Sequence, residues 1–334
     1  MNTKDKNDDS AKSDVSIFYR YYNPEEFKDR FLEDDKDALE IIIPIIHTNE
    51  MWEANLRSIY REIPVKRLLI GDGGCVDNSI EIVKKFPRVE LFDHRQYKTL
   101  GFSIRKLIEE VDSGWFAYFH SDVFIPEDWF DVMKKYRNQY DWFGCQMQIT
   151  AMLEFSDENN KTKKRPFAGT QIGKKEAFMA HLGEIDDDYV YRQEDYVFEN
   201  VVNKGGGKCG FVDEVFHYHQ LIHKNSPWAR KIKKVSVEME WSKEELLRAS
   251  TMQAHGVVKY LKPTPYLAAW ISLDLARLLE MKKLNWKEFK KWAAEVNPEW
   301  KPYLKYWRVA LMRRYLKFSE GDGIIGRLKK WFLK

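Results

Sequence analysis

The chain has 334 residues, room for two domains or for one large domain with additions. With 44% hydrophobic and 32% charged residues it can bury a sizeable core, which excludes a wholly disordered protein. Its cysteines, Cys75, Cys145 and Cys209, are odd in number and far apart, which argues against a disulfide scaffold or a zinc ribbon and for reduced thiols.

No apolar run approaches the roughly 20 residues that a membrane helix needs. The opening MNTKDKNDDS has none of the apolar character of a secretory signal, so a cytoplasmic chain is the expectation. The formal net charge is only +3, but residues 1–40 carry −5 and residues 301–334 carry +8. A basic end of this kind suits an anionic lipid surface, a polyanion or an acidic neighbouring segment.

Residues 1–14 read as a disordered tail and 15–38 as an added arm mixing aromatics with acidic runs. At Leu39 the pattern changes. LEIIIPII is a short β-branched run, the mark of a strand buried on both faces. In the helical stretch after it, Trp52, Leu56, Ile59 and Tyr60 share one side. RLLIGDGG is a second apolar strand running into a glycine turn, and DNSIEIVKKF a short helix that Asp77 or Asn78 could cap.

VELFD is a third strand, and GFSIRKLIEEV a helix with Ile104, Leu107, Ile108 and Val111 at helical spacing. WFAYF is a fourth strand, ending at His120-Ser121-Asp122. This alternation predicts an α/β fold, a mainly parallel sheet with helices on both faces. Ligands bind at the carboxyl ends of strands in such sheets, where this sequence places His47, Thr48, Asn49, Asp72 and Asp122. Beyond residue 140 the alternation weakens. WFGCQMQI is a further strand candidate, SDENNKTKKRP a polar loop, and the chain from about 225 onward is helical, aromatic and basic.

Five constellations could carry chemistry. Asp72, at a strand end before glycines, can accept from the donors of a base or ribose; a tight turn accounts for it equally well. Asp122 in YFHSDVF is a hard oxygen ligand suited to a divalent ion on a diphosphate, and His120 shares its face if the segment is extended. Glu194-Asp195, at the head of a helix, offer a general base, although an acidic first turn is common without any catalytic role. His217 and His219 form an HxH pair on a strand, and either could ligate a metal. The stretch His223, Lys224, Arg230 and Lys231 could close over phosphates, or serve only as a solvated linker.

In this order the pieces resemble the family 2 glycosyltransferases of the GT-A fold. The parallels are IIIPIIHTN, IGDGGCVDNS, Gly101-x-Ser103-x-Arg105, HSD in place of DxD, Glu194-Asp195, and a late histidine at 217 or 219. The resemblance covers about residues 39–230 and implies a GT-A catalytic domain there, with 231–334 a helical C-terminal region.

It also implies a donor site of Pro44, His47, Asp72, Gly73, Arg105, His120, Ser121 and Arg230 for a nucleotide-diphosphate sugar. Asp72 would contact the base or ribose, and Arg105 would lie near the phosphates. Mn²⁺ or Mg²⁺ would sit on Asp122 with His217, or His219 as the alternate. Asp195, or Glu194, would deprotonate the acceptor hydroxyl in a single inverting displacement.

The sequence departs from the family twice: Gly71 replaces the first Asp of the double-Asp motif, and His120 the first Asp of DxD. Expected partners are the sugar donor, a glycan or lipid-linked acceptor, an anionic membrane face for the basic C-terminal region, and a second copy of the chain; nucleic acid is not expected. Two other readings compete. One is a dehydrogenase or nucleotidyltransferase, which would need a glycine-rich loop after the first strand that PIIHTN lacks. The other is a non-catalytic relative that keeps the fold for sugar binding.

Overall fold

A computed structural model describes residues 29–46, 48, 51–97, 99–151, 169–185, 194–221, 251, 254–259, 261–263, 268, 275, 278 and 284–303. The chain divides into two compact units, Met1–Ile185 with Val201–Glu240, and Asp186–Asn200 with Trp241–Lys334.

The first unit opens with strand β1 (Leu39–Ile45), helix α1 (Trp52–Glu62), β2 (Val65–Asp72), the short α2 (Ser79–Val83), β3 (Val89–Asp93), α3 (Leu100–Glu110) and β4 (Trp115–Phe119). The two-residue β5 (Val123–Phe124), α4 (Trp129–Met133), β6 (Trp142–Ala151), β7 (Thr170–Lys174) and α5 (Lys175–Met179) follow. Helix α6 (Glu194–Lys204) begins in the second unit and ends in the first, where β8 (Cys209–Leu221) completes the sheet.

The eight strands lie in the order β3-β2-β1-β4-β7-β6-β8-β5. Pairs β1–β2, β1–β4, β2–β3 and β6–β8 are parallel, while β7 runs against β4 and β6, and β5 against β8. This is the mainly parallel, helix-flanked sheet that the sequence predicts. The order reverses between β1 and β4, which makes the crevice beyond their carboxyl ends the topological switch point where α/β sheets bind ligands.

Both faces of the central strands are buried. Ile41, Ile43, Ile45, Leu68, Ile70, Ala117 and Phe119 share one core with Trp52, Leu56, Ile59 and Tyr60 of α1. The alternate residues Ile42, Leu69, Phe116 and Tyr118 are equally buried, and α3, with Ile104, Leu107 and Ile108 inward, packs on β1 and β2. A near-continuous apolar run is what a strand covered by helices on both sides requires.

The opposite end of β1 is held by charge. Glu40 is fully buried and accepts from the Arg67 guanidinium, the Asp112 and Ser113 amides and the Ser113 hydroxyl. Burial raises its carboxyl, but these donors outweigh burial and hold it below the ordinary glutamate value. The described part of the N-terminal arm is anchored as well: Arg88 Nη2 lies 2.6 Å from Asp29 Oδ2, and Arg30 Nη1 donates to the Glu62 carbonyl at 2.8 Å.

In the second unit, helix α7 (Trp286–Val296) is capped by Asn285, whose side-chain oxygen accepts from Lys287 N and Glu288 N. Asn297 Nδ2 donates to the carbonyls of Val258 and Leu261, and the buried Trp300 donates through Nε1 to Leu261. Of the apolar stretch 266–281, the described residues Ala268, Leu275 and Leu278 are helical and buried. No helix among the described residues is long and apolar enough to cross a membrane.

Candidate metal and nucleotide site

The end of β4 carries the chain into the segment His120–Asp122, and β5 begins at once. β5 pairs antiparallel with β8 in the register Val123↔His219. That pairing sets Asp122 beside His219, with Oδ2 3.4 Å from Nε2. The His120 ring meets the His219 ring edge-on, centroids 5.4 Å apart at 80°. One ligand atom from each of His120, Asp122 and His219 lies within 4.8 Å of the others. These three form a candidate metal-binding group.

Side chains elsewhere pin this segment. His120 N donates to the Gly169 carbonyl at 2.9 Å. The buried Asn55 of α1 donates through Nδ2 to the Ser121 carbonyl at 2.8 Å. Ser58, also on α1, accepts from Ile125 N at 3.2 Å just beyond β5. Gly169 has φ +86, and a Cβ there would stand 2.7 Å from His219 Nδ1, so the imidazole packs directly on bare backbone. Burial raises the Asp122 carboxyl, but the His219 and His120 imidazoles outweigh it and hold it down at about 2.

His217 shares the β8 face with His219, ring centroids 5.8 Å apart, but sits deeper. It is fully buried, with Nδ1 2.8 Å from Thr170 Oγ1 and 3.4 Å from Cys145 Sγ. Burial keeps it neutral, well below the usual imidazole value. Of the HxH pair, it is His219 that faces Asp122.

At the carboxyl end of β2, Asp72 Oδ1 accepts from Gly74 N at 2.9 Å and Cys75 N at 2.8 Å, closing the turn. Gly73 N donates to the Ile45 carbonyl at 2.8 Å, and a Cβ on Gly73 would lie 2.5 Å from Ile46 Cγ2. A side chain at 73 would therefore force Ile46 to move. Pro44, half-buried, pairs with Gly71.

Gly71 itself has a physical cause. A Cβ there would meet His94 Nδ1 at 2.5 Å and Ser103 Oγ at 2.9 Å, two atoms that bond each other at 2.6 Å. The buried His94–Ser103 pair fills the space that a first aspartate would need. Burial lowers the His94 imidazole to about 4, against the pull of Asp93 and Asp72.

Asp77, at the start of α2, accepts from Thr48 N and Ser79 N, both at 3.0 Å, tying the loop after β1 to this helix. Asn78 occupies the N-cap position without a side-chain bond. Arg105 on α3 donates to Glu109 Oε1 at 3.0 Å and to the Ile185 carbonyl at 2.8 Å, with its guanidinium over the Phe102 ring. Glu194 and Asp195 form the acidic first turn of α6 and are both buried. His47 and Arg230 lie outside the described residues.

Several contributors escaped the sequence reading: Asn55, Ser58, His94, Gly169 and Thr170. A polar residue inside an otherwise apolar helix face was the available signal for Asn55 and Ser58, and a glycine directly before a strand for Gly169.

Residues 40–198 match the protein family described as Glycosyl transferase family 2. No curated protein matches the sequence significantly. Among solved structures, the chain is similar to the bifunctional IspDF from Campylobacter jejuni (TM-score 0.35, 16% identity, covering 53% of this chain and 49% of that one), so it spans about half of that protein's length. It is also similar to S. aureus TarS 1–349 in complex with UDP-GlcNAc (TM-score 0.46, 11% identity, 83% of this chain and 89% of that one). A third is the mannosyltransferase PcManGT from Pyrobaculum calidifontis in complex with GDP-Man and Mn²⁺ (TM-score 0.47, 12% identity, 93% of this chain and 96% of that one).

Proposed function

We propose that this chain, a glycosyltransferase by virtue of the family 2 domain over residues 40–198, moves a sugar from a nucleotide-diphosphate donor to an acceptor hydroxyl with inversion at the anomeric carbon. The observation that carries this reading is the group His120, Asp122 and His219 at the carboxyl end of β4, beside the switch point of the sheet. An ionised carboxylate held between two imidazoles suits a divalent ion far better than it suits core packing. Mn²⁺ or Mg²⁺, when bound, offsets the negative charge that grows on the departing diphosphate.

The remaining roles fall to the chain's own groups. Asp72 presents a carboxylate to the base or ribose, with Pro44 and Ser121 on the same rim and His47 given to the donor by the family resemblance alone. Arg105 and Arg230 supply positive charge toward the phosphates. Asp195 takes the proton from the acceptor hydroxyl, Glu194 being the alternate base. The acceptor is a glycan or a lipid-linked sugar, which the basic segment 301–334 would help to meet at an anionic membrane face on the cytoplasmic side.

The test is a screen of nucleotide sugars with Mn²⁺ and Mg²⁺, read by thermal stabilisation and by transfer. Asp122→Ala is expected to abolish metal-dependent donor binding, and Asp195→Ala to spare binding while stopping transfer. Metal-independent binding of a dinucleotide would overturn the reading. For the membrane, vesicle flotation of the full chain against a version ending near residue 300 decides; equal flotation of the two discards the idea.

A further inference from the structure

The sequence places a histidine where the family resemblance leads one to expect an aspartate, and the structure shows where that histidine goes. We propose that His120 is itself a direct metal ligand, and that by substituting an imidazole nitrogen for a carboxylate oxygen it turns the site away from Mg²⁺ and toward transition-metal ions such as Mn²⁺ and Co²⁺. This rests on the reading above in that it concerns the same metal, but it has a separate test.

Geometry is the first support. Ligand atoms around an ion with bonds of roughly 2.1 Å lie about 3 Å apart when adjacent and about 4.2 Å apart when opposite. Asp122 Oδ2 and His219 Nε2 are 3.4 Å apart, and the whole trio falls within 4.8 Å. An ion could enter with only small side-chain rotations. Among the described residues His217 is not in this group, being engaged by Thr170 and Cys145 beneath it.

The second support is how firmly His120 is placed. Its amide is fixed on Gly169, its ring stands edge-on to both Tyr118 (5.4 Å) and His219 (5.4 Å), and the next residue's carbonyl is held by Asn55. Gly169 thus holds one histidine by its carbonyl and gives the other room for its ring. One backbone unit sets the spacing of the two imidazoles.

Donor chemistry then fixes the preference. Mg²⁺ keeps oxygen ligands and several waters, and is generally bound through one or two carboxylates plus phosphates. Imidazole suits Zn²⁺, Cu²⁺, Fe and Ni²⁺, and the affinity of a site with nitrogen donors rises along the first-row series from Mn²⁺, its weakest member, through Co²⁺ to Cu²⁺. Within this trio, two imidazoles to one carboxylate form a set that Mg²⁺ occupies poorly.

The experiment is pulsed electron paramagnetic resonance of the full chain with Mn²⁺ alone, reading ¹⁴N couplings from bound imidazole, together with displacement of Mn²⁺ by Mg²⁺. The wild-type chain is expected to show two imidazole nitrogens. His120→Asp should keep Mn²⁺ but show one, and should need about tenfold less Mg²⁺ to release it. His120→Asn is the second variant if His120→Asp folds poorly, with the same loss of one coupling expected. Unchanged couplings in either folded variant, unchanged Mg²⁺ displacement in folded His120→Asp, or no Mn²⁺ bound to the wild-type chain would each overturn the proposal. Repeating the titration with UDP and GDP separates the two readings. Two couplings with no tightening by either nucleotide would leave this inference standing and remove the glycosyl-transfer reading.

Discussion

Two glycines carry much of the site's precision. At Gly169 an added methyl would collide with the His219 ring, and the backbone at φ +86 already disfavours any side chain. Gly169→Ala should therefore cost about 1–3 kcal/mol of stability and, by displacing His219, weaken Mn²⁺ binding by about tenfold. Urea unfolding and Mn²⁺ titration measure the two effects separately, and unchanged Mn²⁺ affinity would show that His219 is not positioned this way. Gly71 is different: its φ is ordinary, and the obstacle is the His94–Ser103 pair. Introducing an aspartate as Gly71→Asp should destabilise the chain by about 1–3 kcal/mol, and His94→Ala in the same chain should relieve part of that loss. Additive losses in the double variant would show that His94 is not what excludes a side chain at 71.

At the scale of elements, β1 and α1 each do one job at each end. The Glu40 end of β1 is an ion-pair clamp with Arg67, which also reaches Glu90 Oε2 at 2.9 Å and Asp112 Oδ2 at 3.1 Å. Arg67→Ala would leave the buried Glu40 carboxylate with its Asp112 and Ser113 donors but without its counter-charge, an expected loss of about 1–3 kcal/mol. Mn²⁺ affinity of the folded fraction should not change, because the clamp sits at the amino end of β1 and the metal group beyond the carboxyl end of β4. Helix α1 buries its apolar side in the core while Asn55 and Ser58 hold the segment from Ser121 to Ile125. Removing the amide in Asn55→Ala leaves the Ser121 carbonyl without this donor, at about 1–3 kcal/mol. Unlike Arg67→Ala, this change should also weaken Mn²⁺ binding, and calorimetric titration of the two variants side by side tells clamp from positioning residue.

For the molecule as a whole, the buried neutral His94 makes a pH-dependent contribution to stability. Its folded value of about 4 lies below the roughly 6.5 of an unfolded histidine, so the unfolded chain takes up the proton more readily. The contribution is complete above about pH 6.5 and is lost as the pH falls toward 4, amounting to at most about 3 kcal/mol. Urea midpoints at pH 7.5 and 4.5 should converge in His94→Gln relative to the wild-type chain; an equal pH dependence in both would remove His94 as the cause. The molecule's charge asymmetry belongs to this scale too. The acidic first 40 residues and the basic last 34 flank a body whose charges balance, so salt should affect the contacts of the ends more than the stability of the sheet.

The sequence by itself determined the strands β1 to β4, the helices between them and the rim on which Asp72 and Asp122 stand, because a doubly covered strand and an amphipathic helix are written in local periodicity. It carried the family resemblance over residues 40–198 for the same reason, since the order of motifs is a property of the chain. Which histidine faces Asp122 was decided only in three dimensions. His217 and His219 are equivalent by alternation, and they differ because the antiparallel pairing of β5 sets Val123 against His219 while Thr170 and Cys145 close over His217. The same holds for Gly71, whose partners His94 and Ser103 lie on a later strand end and a later helix. Local pattern fixes what an element is and which way its faces point. Contacts between residues distant in sequence depend on register and strand order, which no local pattern encodes.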